Sequence, residues 1–449
     1  MSRDTVLDPA CHRDRRNRLC DRLGDGVLVL PTAAVVPRNG DVSHEHRPGS
    51  DFHFLTGFPE PHAVLVLWRT GRGRHRSVLF VQARDKEREI WDGPRFGTAG
   101  AVKAFGVDEA HPIGELWQRL PKLVAAHARL FHRLGQDREF DQRLLAGLAA
   151  IAFDRRRAGP AAHPAIQDPF PVLAALRRTK DGEELVAMRA AAAATARGHA
   201  AAMAAARGGM HEYEVQAVLE AEFRAAGSPR NGYGSIVASG PNACVLHYHD
   251  NDRRMRNGEL LLIDAGAEVR GVTADVTRTF PVSGRFSEAQ AAVYRAVLRA
   301  QLAGIRACRQ GAPWNAAHKV CLRLLTKGLV DLGVLRGDVA RLSKKEAFKP
   351  WYMHGTSHWL GRDVHDVGAY QDGKGRAEPL PAGAVLTVEP GLYFDRRDTR
   401  VPSALRGIGV RIEDDVLVAA RGPVVLTAAV PKSIREVEAA CGGGQNSDR

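Results

Sequence analysis

Long apolar runs are missing from this sequence. Charges or prolines interrupt every hydrophobic stretch before it reaches the roughly 20 residues of a membrane-spanning helix. That excludes a helical membrane protein. The opening stretch MSRDTVLDPACHRDRRNRLC is charged throughout and has no apolar h-region, so no secretory signal is expected there. Cysteine is scarce. Cys11, Cys20, Cys244, Cys308, Cys321 and Cys441 follow neither zinc-site nor disulfide-framework spacing, and they are expected to be reduced thiols of a cytoplasmic protein. Aromatic residues make up only 6% of the chain. The net charge of +13 comes from scattered arginines, not from a basic stripe with interleaved aromatics. Nucleic-acid binding is therefore not expected, although the positive balance suits the attraction of peptide carboxylates.

What is present is an ordinary globular balance, 44% hydrophobic and 26% charged, in a chain of 449 residues. That length exceeds one ordinary core and predicts two domains. Residues 1–175 read as an α/β domain. Gly26–Leu30, Ala63–Trp68 and Ser77–Gln82 have strand character, the last two forming a hairpin around Thr70–Arg76. Leu116–Leu130 has helical spacing of apolar residues, and the Pro-rich stretch Gly159–Pro171 reads as a linker. The second domain is expected over 176–440 and a disordered tail over 441–449.

In the second domain an Ala-rich helix is predicted from Gly182 to Ala206, capped by Thr179 or Asp181 and ended by Gly208-Gly209. A second helix is predicted over Tyr213–Ala225. Strands follow at Gly234–Ser239, Glu259–Asp264 and Val272–Phe280, the last two around a turn at Arg270-Gly271. A helix opening at Ser287 with Gln290 as its capping box, another over Ala316–Leu332, and strands at Ala384–Val388, Gly409–Ile412 and Val416–Ala419 complete the chain. The order of a helix pair followed by strands occurs twice, without a sequence repeat.

Chemistry concentrates in this second half. Met353–Val367 places His354, His358 and His365 among glycines, which allow sharp turns and close ligand approach. Such a cluster reads either as a site or as satisfied core and surface histidines. Asp264 ends the aliphatic run Leu260–Ile263, Asp275 follows shortly after, and Glu389 and Glu413 sit in similar apolar surroundings. A carboxylate there is costly unless paired or metal-bound. Asp264 and Asp275 are expected on adjoining hairpin arms. The bland alternative is a salt bridge of these aspartates with Arg278. Two Asp, two Glu and one His offer mostly oxygen donors, which suits Mn(II) or a similar divalent ion. Four carboxylates carry more charge than one such ion balances. Two ions sharing carboxylates, holding a bridging hydroxide and polarising a carbonyl, would hydrolyse an amide, with the remaining histidines shuttling protons or donating to the oxyanion.

The stretches Leu246–Tyr248, Ile263–Gly266, Asp275–Pro281, His354–Gly361, Val364–Gly368, Leu386–Tyr393 and Gly407–Asp414 resemble, in order, the motifs of the M24 pita-bread metallopeptidases, and in detail those of the bacterial Xaa-Pro aminopeptidase (aminopeptidase P) branch. Ser50–Phe58 and Glu89–Trp91 resemble that branch's accessory domain. The resemblance implies an α/β (α+β) architecture, with an N-terminal α/β accessory domain followed by a pita-bread catalytic domain. It implies that Asp264 binds one ion, that Asp275 and Glu413 bridge two, and that His358 and Glu389 complete the second, with Glu389 as candidate general base. His247 and His365 would contact the scissile bond, His354 would line a proline pocket, and Arg411 would orient Asp264. Tyr393 is a further pocket candidate, with plain packing as its simpler reading. Trp91 would act through a neighbouring subunit of a dimer or tetramer, or else be buried. Cys244 reads as packing, and Lys374 and Arg376 follow the His365 loop, where relatives tend to carry an arginine that one, or neither, of them replaces. The implied activity is removal of the N-terminal residue from peptides with proline second. The alternatives are an Xaa-Pro dipeptidase (prolidase) and a pita-bread binding protein without catalysis. Such binding proteins typically lose ligands, and this chain keeps all five.

Overall fold

Asp8 opens the first helix. Its carboxylate accepts from the Ala10 amide at 2.9 Å and Pro9 occupies the first turn, where a missing N–H costs nothing. This helix, Pro9–Leu23, buries Arg15 and Arg16. Arg15 donates to the Phe54 carbonyl (3.2 Å), and Arg16 to the carbonyls of Leu55 (2.9 Å) and Gly106 (2.6 Å). These carbonyls end the helices Ser50–Thr56 and Gly97–Phe105, whose last turns lack internal donors and favour a cation. The computed structural model describes residues 8–155 and 164–442, which divide into two units between Arg177 and Arg178.

The first unit is built on a six-stranded sheet in the order Glu109–Pro112, Arg74–Val81, Val64–Gly71, Val27–Pro31, Arg129–Phe131, Ala165–Gln167. The expected hairpin pairs Val64–Gly71 with Arg74–Val81. Two expectations are corrected here. The helix predicted over Leu116–Leu130 stops at Ala125, and Arg129–Phe131 instead runs parallel to Val27–Pro31. Leu130 and Phe131 prolong the apolar spacing only by coincidence, because the sheet claims them. Of the expected linker, 159–163 lie outside the described residues. Ala165–Gln167 pairs with Arg129–Phe131 as the sheet edge, and Phe170–Arg178 is a helix whose Leu173 and Leu176 join the core of this unit. Trp91 is not buried. It is 84% exposed and Ile90 beside it 80%.

In the second unit Asp181 caps the helix Gly182–Ala205 in a reciprocal box with Glu184, and the helix Glu212–Ala225 packs on it. Ser287 and Gln290 form the expected box at the start of Glu288–Ala307, which packs on Ala316–Asp331. Strands Ile236–Ser239, Leu260–Asp264 and Thr277–Pro281 form one antiparallel sheet. Val385–Val388, Asp414–Ala419 and Gly422–Val425 form another, and Gly391–Tyr393 pairs with Gly409–Arg411. The strand predicted over Val272–Phe280 is two strands in two sheets. Arg270 and Gly271, with φ of 52° and 74°, make a tight hairpin of Ala267–Val269 with Val272–Thr273. Ala274–Val276 then crosses over, and Thr277–Pro281 pairs with Leu260–Asp264. A Cβ on Gly266 would lie 1.8 Å from the Ala274 carbonyl oxygen, so only glycine permits this crossing. No helix among the described residues is long and apolar enough to cross a membrane. Of the tail expected to be disordered over 441–449, Cys441 instead caps the helix Ile434–Ala440 and packs against the core, and 443–449 lie outside the described residues.

Candidate metal centre

Backbone pairing brings the acids together. Antiparallel register sets Asp264 opposite Thr277, with Asp275 in the crossover just before it. The Glu413 amide donates to the Thr277 carbonyl at 3.1 Å, and the Asp275 amide to the Asp415 carboxylate at 3.2 Å. A second seam sets the histidine-rich stretch. The Thr387 amide donates to the His358 carbonyl (3.0 Å) and the Glu389 amide to the Thr356 carbonyl (2.9 Å), while the His358 amide donates to the Thr387 hydroxyl (3.1 Å). Residues 356–360 are thereby zipped along Val385–Glu389.

One ligand atom each from Asp275, His358 and Glu413 lies within 4.8 Å of the others. His358 Nε2 is 3.3 Å from Asp275 Oδ2 and 3.5 Å from Glu389 Oε1. Its Nδ1 lies 3.1 Å from the Trp359 carbonyl. That contact places a proton on Nδ1 and aims Nε2 at the acids, the orientation of a metal-binding imidazole. The acids are short of positive charge. Burial, with the neighbouring carboxylates, raises Asp275 and lifts Glu413 well above the ordinary range. Burial brings Glu389 to about 7. His358 is the converse: burial opposes its charge, but the hydrogen bond to Asp275 and the Glu389 carboxylate raise it to about 9. Buried oxygen donors that resist ionisation for want of a cation fit divalent ions.

Asp264 differs. Burial pushes it up, but Arg411 and the bonds from Tyr233 and Thr277 outweigh that and hold it below the usual range. Arg411 donates through Nη2 to Asp264 (2.7 Å), through Nε to Thr277 (3.0 Å) and through Nη1 to the Tyr393 hydroxyl (3.2 Å). Arg278 does not pair with Asp264 or Asp275. It binds Asp414 at 2.8 Å, beside Lys432 at 2.6 Å from the same carboxylate.

A cavity of about 650 Å³ opens over these acids and is also lined by His247, His354, His365 and Arg411. The His365 ring meets the His358 ring edge-on at 4.4 Å. Burial and the adjacent His358 lower His365, and burial with Arg411 brings His354 down to about 3, so His354 is a neutral imidazole. Tyr393 does not line this cavity. It is buried, with its hydroxyl 2.7 Å from His354 Nε2 and bonded to Arg411. Lys374 and Arg376 do not line it either, and Arg376 pairs with Asp372 at 2.7 Å. Burial pushes the Cys244 thiol up to about 12, which leaves it without nucleophilic character.

Sequence reasoning missed Tyr233. Its hydroxyl contacts Asp264 Oδ1 at 2.6 Å and also Asp275 Oδ1. The one signal was a tyrosine set between Gly232 and Gly234. Thr277 was within a recognised stretch but had no role. It donates to Glu413 at 2.6 Å and accepts from Arg411.

Residues 186–420 match the model of metallopeptidase family M24, and residues 12–131 that of the aminopeptidase P N-terminal domain. The Xaa-Pro aminopeptidase of Escherichia coli is 41% identical over 95% of this chain and 96% of its own. Among solved structures, Pseudomonas aeruginosa aminopeptidase PepP superposes with a TM-score of 0.94 at 43% identity, covering 98% of this chain and 100% of the other. Zinc-substituted E. coli aminopeptidase P in complex with product superposes with a TM-score of 0.94 at 39% identity and the same coverage.

Proposed function

Because the chain belongs to metallopeptidase family M24, with an N-terminal aminopeptidase P-type domain before a pita-bread catalytic domain, we propose that it releases the N-terminal residue from peptides with proline second. The observation that carries this reading is the convergence of Asp275, His358 and Glu413, with Asp264 and Glu389, on one cavity also lined by His247, His354 and His365. Asp264, Asp275, His358, Glu389 and Glu413 would hold the pair of ions, Asp275 and Glu413 as shared ligands and the other three as ligands to one ion each. Two divalent ions, with Mn(II) as the metal suited to this donor set, supply Lewis-acid activation of water and of the scissile carbonyl when bound.

The chain's own groups do the rest. Glu389, 3.5 Å from His358 Nε2 in the cavity, is the group placed to take a proton from the attacking water and return it to the leaving amine. His247 and His365 donate to the oxygen that gains charge. His354, neutral and fixed by Tyr393, borders the proline ring. Arg411 orients Asp264. Proline has no amide N–H and a fixed ring, so a dedicated pocket is its natural reader. Similarity along nearly the whole length to Xaa-Pro aminopeptidases favours this over prolidase. The complete ligand set disfavours a non-catalytic binding protein. A domain boundary at 175/176 accompanies this reading. Six free cysteines support a cytoplasmic location, and exposed Ile90 and Trp91 support a homo-oligomer, a dimer or tetramer in which a second copy covers them.

The deciding assay offers the Mn(II)-loaded protein Xaa-Pro dipeptides and Xaa-Pro-Yaa peptides side by side. Release of the first residue from the longer peptides is expected. Turnover confined to dipeptides would replace this reading with prolidase.

A further inference from the structure

Glu212, in the first turn of the helix Glu212–Ala225, is fully buried. Its carboxylate accepts from a segment distant in sequence. Oε1 takes the Ser239 amide (2.6 Å) and hydroxyl (2.7 Å), with Asn242 Nδ2 at 3.3 Å, and Oε2 takes the Tyr248 hydroxyl (2.8 Å) and the Arg253 amide (3.0 Å). The Arg253 guanidinium is spent on Glu259 at 2.6 Å, so hydrogen bonds hold the Glu212 carboxylate. A buried carboxylate is costly unless its oxygens are filled in this way. These donors begin, divide and end one stretch, 239–253, and that stretch carries His247 into the catalytic cavity. His247 itself is exposed, while Tyr248 behind it is buried. Asn251 adds a second bolt. With φ of 47°, it turns its amide onto the strand Ile236–Ser239. It accepts from the Val237 amide (2.9 Å) and donates to the Ser235 carbonyl (2.8 Å), as a neighbouring strand would. Gln216, one turn after Glu212 on the same helix, accepts from Asn251 at 3.0 Å.

We propose that Glu212 is a positioning residue for the reaction: through Tyr248 and the two ends of the stretch it holds His247 at the scissile carbonyl. The role rests on the function proposed above, in which His247 donates to the oxygen that gains charge. An exposed imidazole serves that purpose only if its segment stays in place, because a displacement of about 1 Å costs a reaction up to about 100-fold.

Glu212→Gln keeps the size but turns one oxygen into an NH2 group, and either side of the carboxylate faces a main-chain N–H that cannot turn away. On the Mn(II)-loaded protein with Ala-Pro-Leu, kcat falls about tenfold with KM within about twofold. Mn(II) affinity in a titration stays unchanged, since Glu212 touches none of the five proposed ligands. Combined with His247→Ala, Glu212→Gln lowers kcat no further, because nothing is left to position. Hydrogen exchange quickens within 239–253 and not in the helix Glu288–Ala307. Tyr248→Phe, which removes only the hydroxyl, follows the same pattern with about a threefold fall in kcat, and it carries the comparison if Glu212→Gln does not fold. Losses that multiply in the double variant, or unchanged exchange within 239–253, overturn the positioning role and leave the proposed activity standing. A wild-type protein that does not cleave Ala-Pro-Leu overturns that activity and the role with it.

Discussion

A tyrosine hydroxyl held between two carboxylates has one proton to give, and Tyr233 places it between Asp264 and Asp275. It fixes the spacing of two acids that would otherwise repel one another. Tyr233→Phe removes that constraint without opening a large space. We expect kcat to fall about tenfold, in line with loss of a group orienting metal ligands, with a weaker apparent affinity for Mn(II) in a metal titration. Unchanged metal affinity and activity would remove Tyr233 from the site. The acids themselves were readable one by one, because ionised groups in aliphatic strands are too costly to be accidental. Tyr233 was not. An aromatic residue near a strand satisfies every packing rule, and only its contacts reveal the hydroxyl's use.

Between elements, the close approach of the helices Gly182–Ala205 and Glu212–Ala225 depends on Gly198. A Cβ there would lie 2.4 Å from Phe223 Cε1 and 2.9 Å from the Leu219 carbonyl. Alanine favours a helix by about 1 kcal/mol over glycine, but overpacking costs about 1–3 kcal/mol. Gly198→Ala should therefore leave the protein no more stable, and up to about 2 kcal/mol less, in urea unfolding. A clear gain in stability would show that the helices part without penalty. The next residue ties this helix to the Asp264 strand. His199 is fully buried, 3.1 Å from the Ala265 carbonyl through Nε2, with Nδ1 unpartnered. Burial holds its imidazole down to about 4, against 6.5 for the free side chain. Between those values the unfolded chain binds the extra proton. The contribution is complete above about pH 6.5 and is lost as pH falls toward 4, by about 3 kcal/mol in all. His199→Gln keeps a donor for Ala265 but does not titrate. Unfolding at pH 7 and pH 4.5 should show a smaller acid loss in the variant, and equal losses would sink the argument. The helices themselves were legible from their caps at Asp181 and Ser287. The break in Val272–Phe280 was not, because β-rich composition runs straight through a point where the chain changes sheets.

At the scale of the whole molecule, Asp264, Asp275, Glu389 and Glu413 converge on one cavity, where their mutual repulsion opposes folding unless cations bind. Ions that bind only the folded state stabilise it by mass action, by about 2.7 kcal/mol at a hundred times Kd. Melting should therefore move upward with Mn(II) and downward with a chelator, and Glu413→Gln should lose most of the Mn(II) response. A melting temperature indifferent to Mn(II) in the wild type would contradict a metal centre here.

The sequence by itself determined the family, through its ordered motifs, the acids and histidines that line the cavity, and the helices that cap themselves. Those properties reside in residue type and short spacing. Only the tertiary structure decided that Arg278 serves Asp414 and not Asp264, that Tyr393 stands behind the cavity wall, and that Tyr233 bridges two acids. It also drew Ala165–Gln167 from an expected linker into a sheet edge. Each of these depends on contacts between residues far apart in the chain. Long-range register and burial set such contacts, and local pattern carries no record of them.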